Sequence, residues 1–275
     1  MNTFVIPDLH GKPDALRALL LKAGVINDND QRINLDDKVV SIGDLLSGAY
    51  KDIAGDHESL RLADLWIDQL IVGNHEVEYL LPGRGMIFNG YYPDRDLIDA
   101  YKQRHYSGMA VPCLLVGETL LSHAGVHHYF DFETAREAYD EINEIWGDFF
   151  QPSLYDDLDE DDMYEYTFRD YALSKHHLIS GVPKDRGGLD PLGGIIWGAW
   201  EESKNPKFNQ ILGHTPISGG PVLIEYKQAG TFTLNIDAGA KMDLPPAGVW
   251  LDEYGLVTKY VTTSAMVLDG STSFV

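Results

Sequence analysis

Five short islands in this 275-residue chain carry the residue types that bind and activate. They are Asp8-Leu9-His10-Gly11, Gly43-Asp44, Gly73-Asn74-His75-Glu76, Ser122-His123-Ala124-Gly125 and Gly213-His214-Thr215-Pro216. Their side chains offer carboxylate, amide-carbonyl and imidazole donors, a mixed oxygen and nitrogen set that suits Mn, Fe or Zn. Asp8 and His10, two residues apart on an irregular turn, can face one ion, with Gly11 letting the backbone pass close to it. A carboxylate such as Asp44 can bridge two cations, one oxygen to each. Two ions about 3.5–4 Å apart can clamp the oxygens of an in-line phosphoryl displacement and lower the pKa of a water between them. The set also leaves one His to handle a proton. Singly, each island reads as a turn or a satisfied histidine; the series carries the metal reading.

Each island ends an apolar run. Thr3 to Ile6 reads as a buried strand, and Asp14 to Ala23 has helical spacing that stops at Gly24. Lys38 to Ile42 predicts a second strand, Ser59 to Gln69 a helix, and Leu70 to Val72 a third strand. This β-α-β-α-β order predicts an α/β fold, with ligands gathering beyond the carboxyl ends of the strands. Further on, Val111 to Val116 and Thr119 to Ser122 predict a hairpin around Gly117-Glu118 that delivers His123. Phe208 to Leu212 is a strand that delivers His214, and four later runs alternate like antiparallel strands. The chain is expected to form one domain over 1–275, with an acidic and aromatic insertion at about 128–207.

The ordered motifs D-x-H-G, G-D, G-N-H-E, H-A-G and G-H-T, running from Asp8 to Thr215, resemble those of the calcineurin-like metallophosphoesterases. They come closest to the phosphoprotein-phosphatase branch, which the segment Asn235 to Gly239 also resembles. The resemblance implies a two-sheet β-sandwich flanked by helices, an α/β/β/α four-layer arrangement. It implies that Asp8, His10 and Asp44 hold one divalent metal ion and that Asp44, Asn74, His123 and His214 hold a second. The ions are expected to be Mn, with Fe or Zn as alternatives. It further implies a hydroxide bridging the ions as nucleophile and His75 as the general acid. The implied partner is a phosphate-ester substrate: a phosphoprotein, a nucleotide or a small molecule.

The chain departs from that branch where phosphate is gripped. After the second strand the branch reads G-D-x-x-D-R-G; here Ser47 and Gly48 replace the Asp that orients the catalytic His and the Arg that binds phosphate. A second Arg, expected two residues after a Trp, is replaced by Ala199 in Trp197-Gly198-Ala199. A bidentate arginine clamp supplies both orientation and charge. Its work would fall to Arg84, Arg95 or Arg186, with Arg84 and Arg186 taken as substrate-binding candidates. Alternatively, the substrate is a nucleotide or cyclic-nucleotide diester, or the chain is a catalytically weak, metal-stabilised binding protein. Glu76 is expected to support its loop without binding metal. His127 and His128 read as surface residues, and the acidic run 156–162 as a solvated loop, since it lacks the Gly and terminal Glu of a calcium loop.

Bulk properties narrow the class. A formal net charge of −22 argues against general affinity for nucleic acid or anionic membranes. Residues 131–170 alone hold 15 acidic and 2 basic residues. One cysteine, Cys113, precludes an intrachain disulfide. The sequence has no signal-peptide pattern and no membrane-length apolar run, so a cytoplasmic location is expected.

Overall fold

A computed structural model of the chain describes residues 1–47, 53–80, 94–149 and 177–263. Arg84, Gly48 and the acidic run 156–162 lie outside those residues. The first βαβ units form as the apolar spacing predicts. β1 (Thr3–Ile6), β2 (Lys38–Ser41), β3 (Gln69–Ile71) and β4 (Ala110–Val111) pair in parallel, with helix α1 (Pro13–Ala23) between the first two strands and α2 (Ile53–Trp66) between the next two. Pro13 opens α1, where its missing N–H costs nothing, and Gly24 closes it in the left-handed region at φ 75°. Leu16, Leu19, Leu20 and Ala23 form its buried face.

Two predicted boundaries shift. The helix expected over 59–69 begins by Ile53 and stops at Trp66. Arg32 donates to the Trp66 carbonyl at 2.7 Å, and the Asp68 carboxylate accepts from the Val39 N–H at 2.8 Å. These contacts end the helix and release Gln69 to pair with Val40. The strand expected over 111–116 divides. Val111 pairs with Ile71 in the first sheet, whereas β5 (Cys113–Val116) pairs antiparallel with β6 (Thr119–Ser122) in a second sheet. Pro112, which has no N–H to donate, lies where the chain changes sheets.

Helices α3 (Asn74–Leu80), α4 (Arg95–Tyr106), α5 (Ala135–Phe149) and the single turn α6 (His177–Ser180) come after β3 in the chain. β7 (Asn209–Leu212), β8 (Val222–Tyr226) and β9 (Thr231–Asn235) complete the second sheet in the order β5-β6-β7-β9-β8. β10 (Ala247–Leu251) and β11 (Val257–Thr262) return to the first sheet, giving β11-β10-β1-β2-β3-β4. Successive strand residues face opposite ways and both faces are covered. Val5, Val40, Ile71, Val249 and Leu251 of one sheet meet Leu121, Ile211 and Leu234 of the other in an inter-sheet core. Phe4, Ile6, Val39 and Leu70 face instead into the core that contains α1 and α2. On the far side, α5 packs on β5 and β6. The expected α/β/β/α layering is therefore present; β1 and β6 read as apolar runs because neither face meets water, whereas β8 and β11 keep exposed residues and alternate.

Candidate metal centre and active site

Six islands of polar residues, including one the motif reading gave no role, leave the carboxyl ends of parallel strands. β1 delivers Asp8 and His10, β2 Asp44, β3 Asn74 and His75, β6 His123, β7 His214 and β9 Asp237. Backbone hydrogen bonds lace these exits together. The Leu9 and His10 N–H groups donate to the Asp44 carbonyl at 2.9 and 2.8 Å, Gly213 N–H to the His123 carbonyl at 2.8 Å, and Ile236 N–H to the Leu212 carbonyl at 2.9 Å. His10, Asp44 and His214 all have positive φ, at 51°, 47° and 66°. Non-glycine residues held there cost on the order of 1–3 kcal/mol each, which the surrounding core must offset.

The side chains converge in two groups that share Asp44. His123 Nε2 lies 3.0 Å from Asn74 Oδ1 and 3.1 Å from His214 Nδ1, and His214 Nδ1 lies 2.9 Å from Asn74 Oδ1. His123 Nδ1–H donates to the Ile42 carbonyl at 3.1 Å, so its Nε2 presents a bare lone pair. Three acceptor atoms thus crowd one point. Donors bound about 2.1 Å from one ion are separated by roughly this same distance. Asp44 Oδ1 lies 3.5 Å from His123 Nε2, while its Oδ2 lies 4.0 Å from His10 Nε2 and 3.7 Å from His75 Nε2. One carboxylate oxygen therefore faces each group. Asp8 lies beside them: its Oδ2 accepts from the His214 N–H at 2.9 Å, and its buried Oδ1 has no hydrogen-bond partner. His10 Nδ1, His214 Nε2 and Asp237 Oδ2 are likewise buried without a partner.

This much unpaired polarity is costly unless a cation resolves it. Burial, followed by the charges of Asp237 and Asp44, raises the Asp8 carboxyl well above its usual range. Burial pushes the Asp237 carboxyl up to about 6, against a hydrogen bond from the Gly239 N–H. Burial also lowers His10 to about 3 and lowers His123 and His214, keeping the imidazoles neutral with lone pairs available. Two clustered triads can hold an ion by geometry, His10–Asp44–His75 and Asp44–His123–His214. Close backbone approach shapes both: a Cβ on Gly213 would lie 2.1 Å from Asp8 Oδ1, and one on Gly73 would lie 2.3 Å from Asp44 Oδ1. Gly11, expected to make room for an ion, instead abuts the Asp56 carboxylate.

His75 is oriented by an arrangement the sequence reading missed. Its Nδ1–H donates to the Ser47 backbone carbonyl at 2.6 Å, leaving Nε2 directed into the cluster. Ser47 is itself held by the fully buried Asp56, which accepts from the Ser47 N–H and hydroxyl, both at 2.6 Å, and from the Tyr79 hydroxyl at 2.8 Å. The motif position that lacks an Asp thus has a carboxylate one step removed, contributed by α2. Glu76 supports its loop as expected, accepting from the N–H groups of Asp44, Leu46 and Gly73 at 2.7, 2.9 and 2.9 Å. Arg186 donates to Thr215 Oγ1 at 3.0 Å, beside His214. Trp197 meets the His214 ring edge-on, at 5.9 Å between centroids. His127, read as a surface residue, is buried, and its Nδ1 accepts from the Tyr129 N–H at 2.9 Å; His128 is exposed.

No family model and no curated protein sequence matches this chain. Its structure does match. The cold-active protein-tyrosine phosphatase of the psychrophile Shewanella sp. superposes with a TM-score of 0.56 at 15% identity, covering 96% of this chain and 80% of that one. A second structure of a cold-active protein-tyrosine phosphatase gives 0.55 at 15% identity, covering 94% and 78%. The fold is calcineurin-like. At this identity the likeness is one of architecture. No helix among the described residues is long and apolar enough to cross a membrane.

Proposed function

We propose that the chain is a metal-dependent phosphoric ester hydrolase with two divalent ions, preferentially Mn, acting in the cytoplasm on a phosphomonoester. The observation that carries this reading is the convergence of Asp8, His10, Asp44, Asn74, His123 and His214, with partnerless buried donors and acceptors, at one edge of a calcineurin-like fold. Asp8, His10 and Asp44 would hold one ion; Asp44, Asn74, His123 and His214 would hold the other. Bound there, the ions would supply Lewis-acid charge to the phosphoryl oxygens and lower the pKa of an attacking water. The protein's own residues do the rest. With Nδ1–H committed to the Ser47 carbonyl, His75 directs its Nε2 into the cluster, where it would donate a proton to the leaving oxygen. Arg186, beside His214, supplies charge for a phosphoryl group, which favours the monoester over the diester reading.

The test is a panel assayed with the Mn-loaded protein: an aryl phosphate, a bis-aryl phosphate, nucleotides and a phosphotyrosyl peptide, the last suggested by the Shewanella enzyme's name. Monoester turnover that disappears with chelation and returns with Mn is expected. Preference for the bis-aryl ester would assign the chain to diesters instead. Absence of turnover with intact metal binding would favour the binding-protein reading.

A further inference from the structure

The two arginines expected to grip phosphate are absent, yet a cation the motifs do not include stands beside the candidate acid. Lys241 Nζ lies 3.3 Å from His75 Nε2. It projects from the single 3-10 turn Ala240–Met242, which follows the Asp237 exit and lies between two left-handed residues, Gly239 at φ 87° and Asp243 at φ 61°. Lys12, one residue past the His10-Gly11 turn, fastens this turn in place: its ammonium donates to the Ala240 carbonyl and pairs with the Asp243 carboxylate. Asp243 is thereby occupied by Lys12. Among the described residues neither Lys241 nor Arg186 forms an ion pair with a carboxylate, although the chain has 43 acidic residues for 21 basic ones. Arg186 reaches Thr215, beside His214, and Lys241 reaches His75. The charge of Arg186 is felt at His123 and His214, that of Lys241 at His10, and both at Asp237.

We infer that Lys241 is a catalytic residue that contacts the leaving-group oxygen together with His75, while Arg186 holds the non-bridging phosphoryl oxygens. The inference rests on the hydrolase reading above. Two groups 3.3 Å apart can both reach one oxygen atom, and an ammonium there stabilises the negative charge that grows as the P–O bond breaks. His75 supplies the proton to that oxygen, and Lys241 supplies charge without being consumed. A lysine is a compact point charge able to follow the departing oxygen, unlike the planar fork of an arginine.

The dependence on leaving group separates this role from a structural one. Mn-loaded wild type, Lys241→Ala, Lys241→Arg and Arg186→Ala would be compared on aryl phosphates whose phenols range from acidic to weakly acidic. Lys241→Ala should lower kcat/KM by about 100-fold for phenyl phosphate and by less than about 10-fold for a nitrophenyl ester. Lys241→Arg should recover part of the loss, and Arg186→Ala should lower all esters about equally while weakening inhibition by inorganic phosphate. An equal loss across the series for Lys241→Ala, or no loss, would overturn the assignment. If wild type hydrolyses neither an aryl ester nor any other member of the panel, the hydrolase reading itself fails. Calorimetric titration of the Mn-loaded proteins with inorganic phosphate then tests the cations alone, and an unchanged affinity in Lys241→Ala would overturn its place at the site.

Discussion

At the scale of single residues, the site is shaped by what is missing from glycines as much as by its ligands. Gly213→Ala would drive a methyl group against Asp8 Oδ1, whereas Gly24 has open space beyond its Cα and only a left-handed φ. We expect Gly213→Ala to lose bound metal as measured by elemental analysis of the purified protein. Gly24→Ala should keep its metal and lose about 1 kcal/mol in chemical denaturation. His127 makes a separate prediction. Burial, aided by His128, lowers its pKa to about 4, whereas in the unfolded chain it titrates near 6.5. Its proton is therefore taken up preferentially by the unfolded state. The stability it contributes is full above pH ~6.5 and is lost as pH falls through the folded pKa near 4. His127→Asn, which keeps an acceptor for the Tyr129 N–H, should flatten that part of the stability profile of the metal-free protein.

At the scale of elements, strands deliver the candidate ligands and one carboxylate joins the deliveries. Glu76, in the first turn of α3, accepts three N–H groups from the loops after β2 and β3, the loops that carry Asp44 and Asn74. Glu76→Ala would strand those amides in the interior. We expect a loss of about 3 kcal/mol in urea denaturation and a metal affinity lowered together with it. A Glu76 variant with unchanged metal affinity would show that the two loops hold their geometry without it. The same scale explains where the sequence was hard to read. Gly-Asn-His-Glu is visible as a motif, but the support of His75 comes from Asp56, on a helix whose start the apolar spacing did not mark. The 111–116 run looks like one strand because both of its halves are apolar, and only pairing shows that Pro112 divides it between sheets.

At the scale of the whole molecule, two sheets must stack before the two ligand groups meet. His10 and Asn74 leave the first sheet, and His123 and His214 leave the second. Ions held between them would tie the sheets together and bind only the folded state. With Mn at about 100 times its dissociation constant, the apparent stability should rise by about 2.7 kcal/mol, or roughly 5–10 °C in Tm. Thermal denaturation with and without a chelator measures this directly. No change in Tm on Mn addition would contradict an ion-binding cluster that spans the two sheets.

By itself the sequence determined the βα order of the first half and marked the polar islands, while the resemblance of its motifs implied the layers and a ligand set. Doubly buried strands must be apolar runs, and polar groups placed at their ends are expensive enough without a partner to stand out as motifs. Distance along the chain hid the rest. Asp237, Lys241 and the Asp56–Ser47 support of His75 are ordinary residues in local context, and their meaning comes from contacts made across 9 to 229 positions. Only the tertiary structure decided that the charge of Asp237 acts on Asp8 and that Lys241 lies 3.3 Å from His75, because coulombic and hydrogen-bonding interactions depend on separation in space and are blind to separation in sequence.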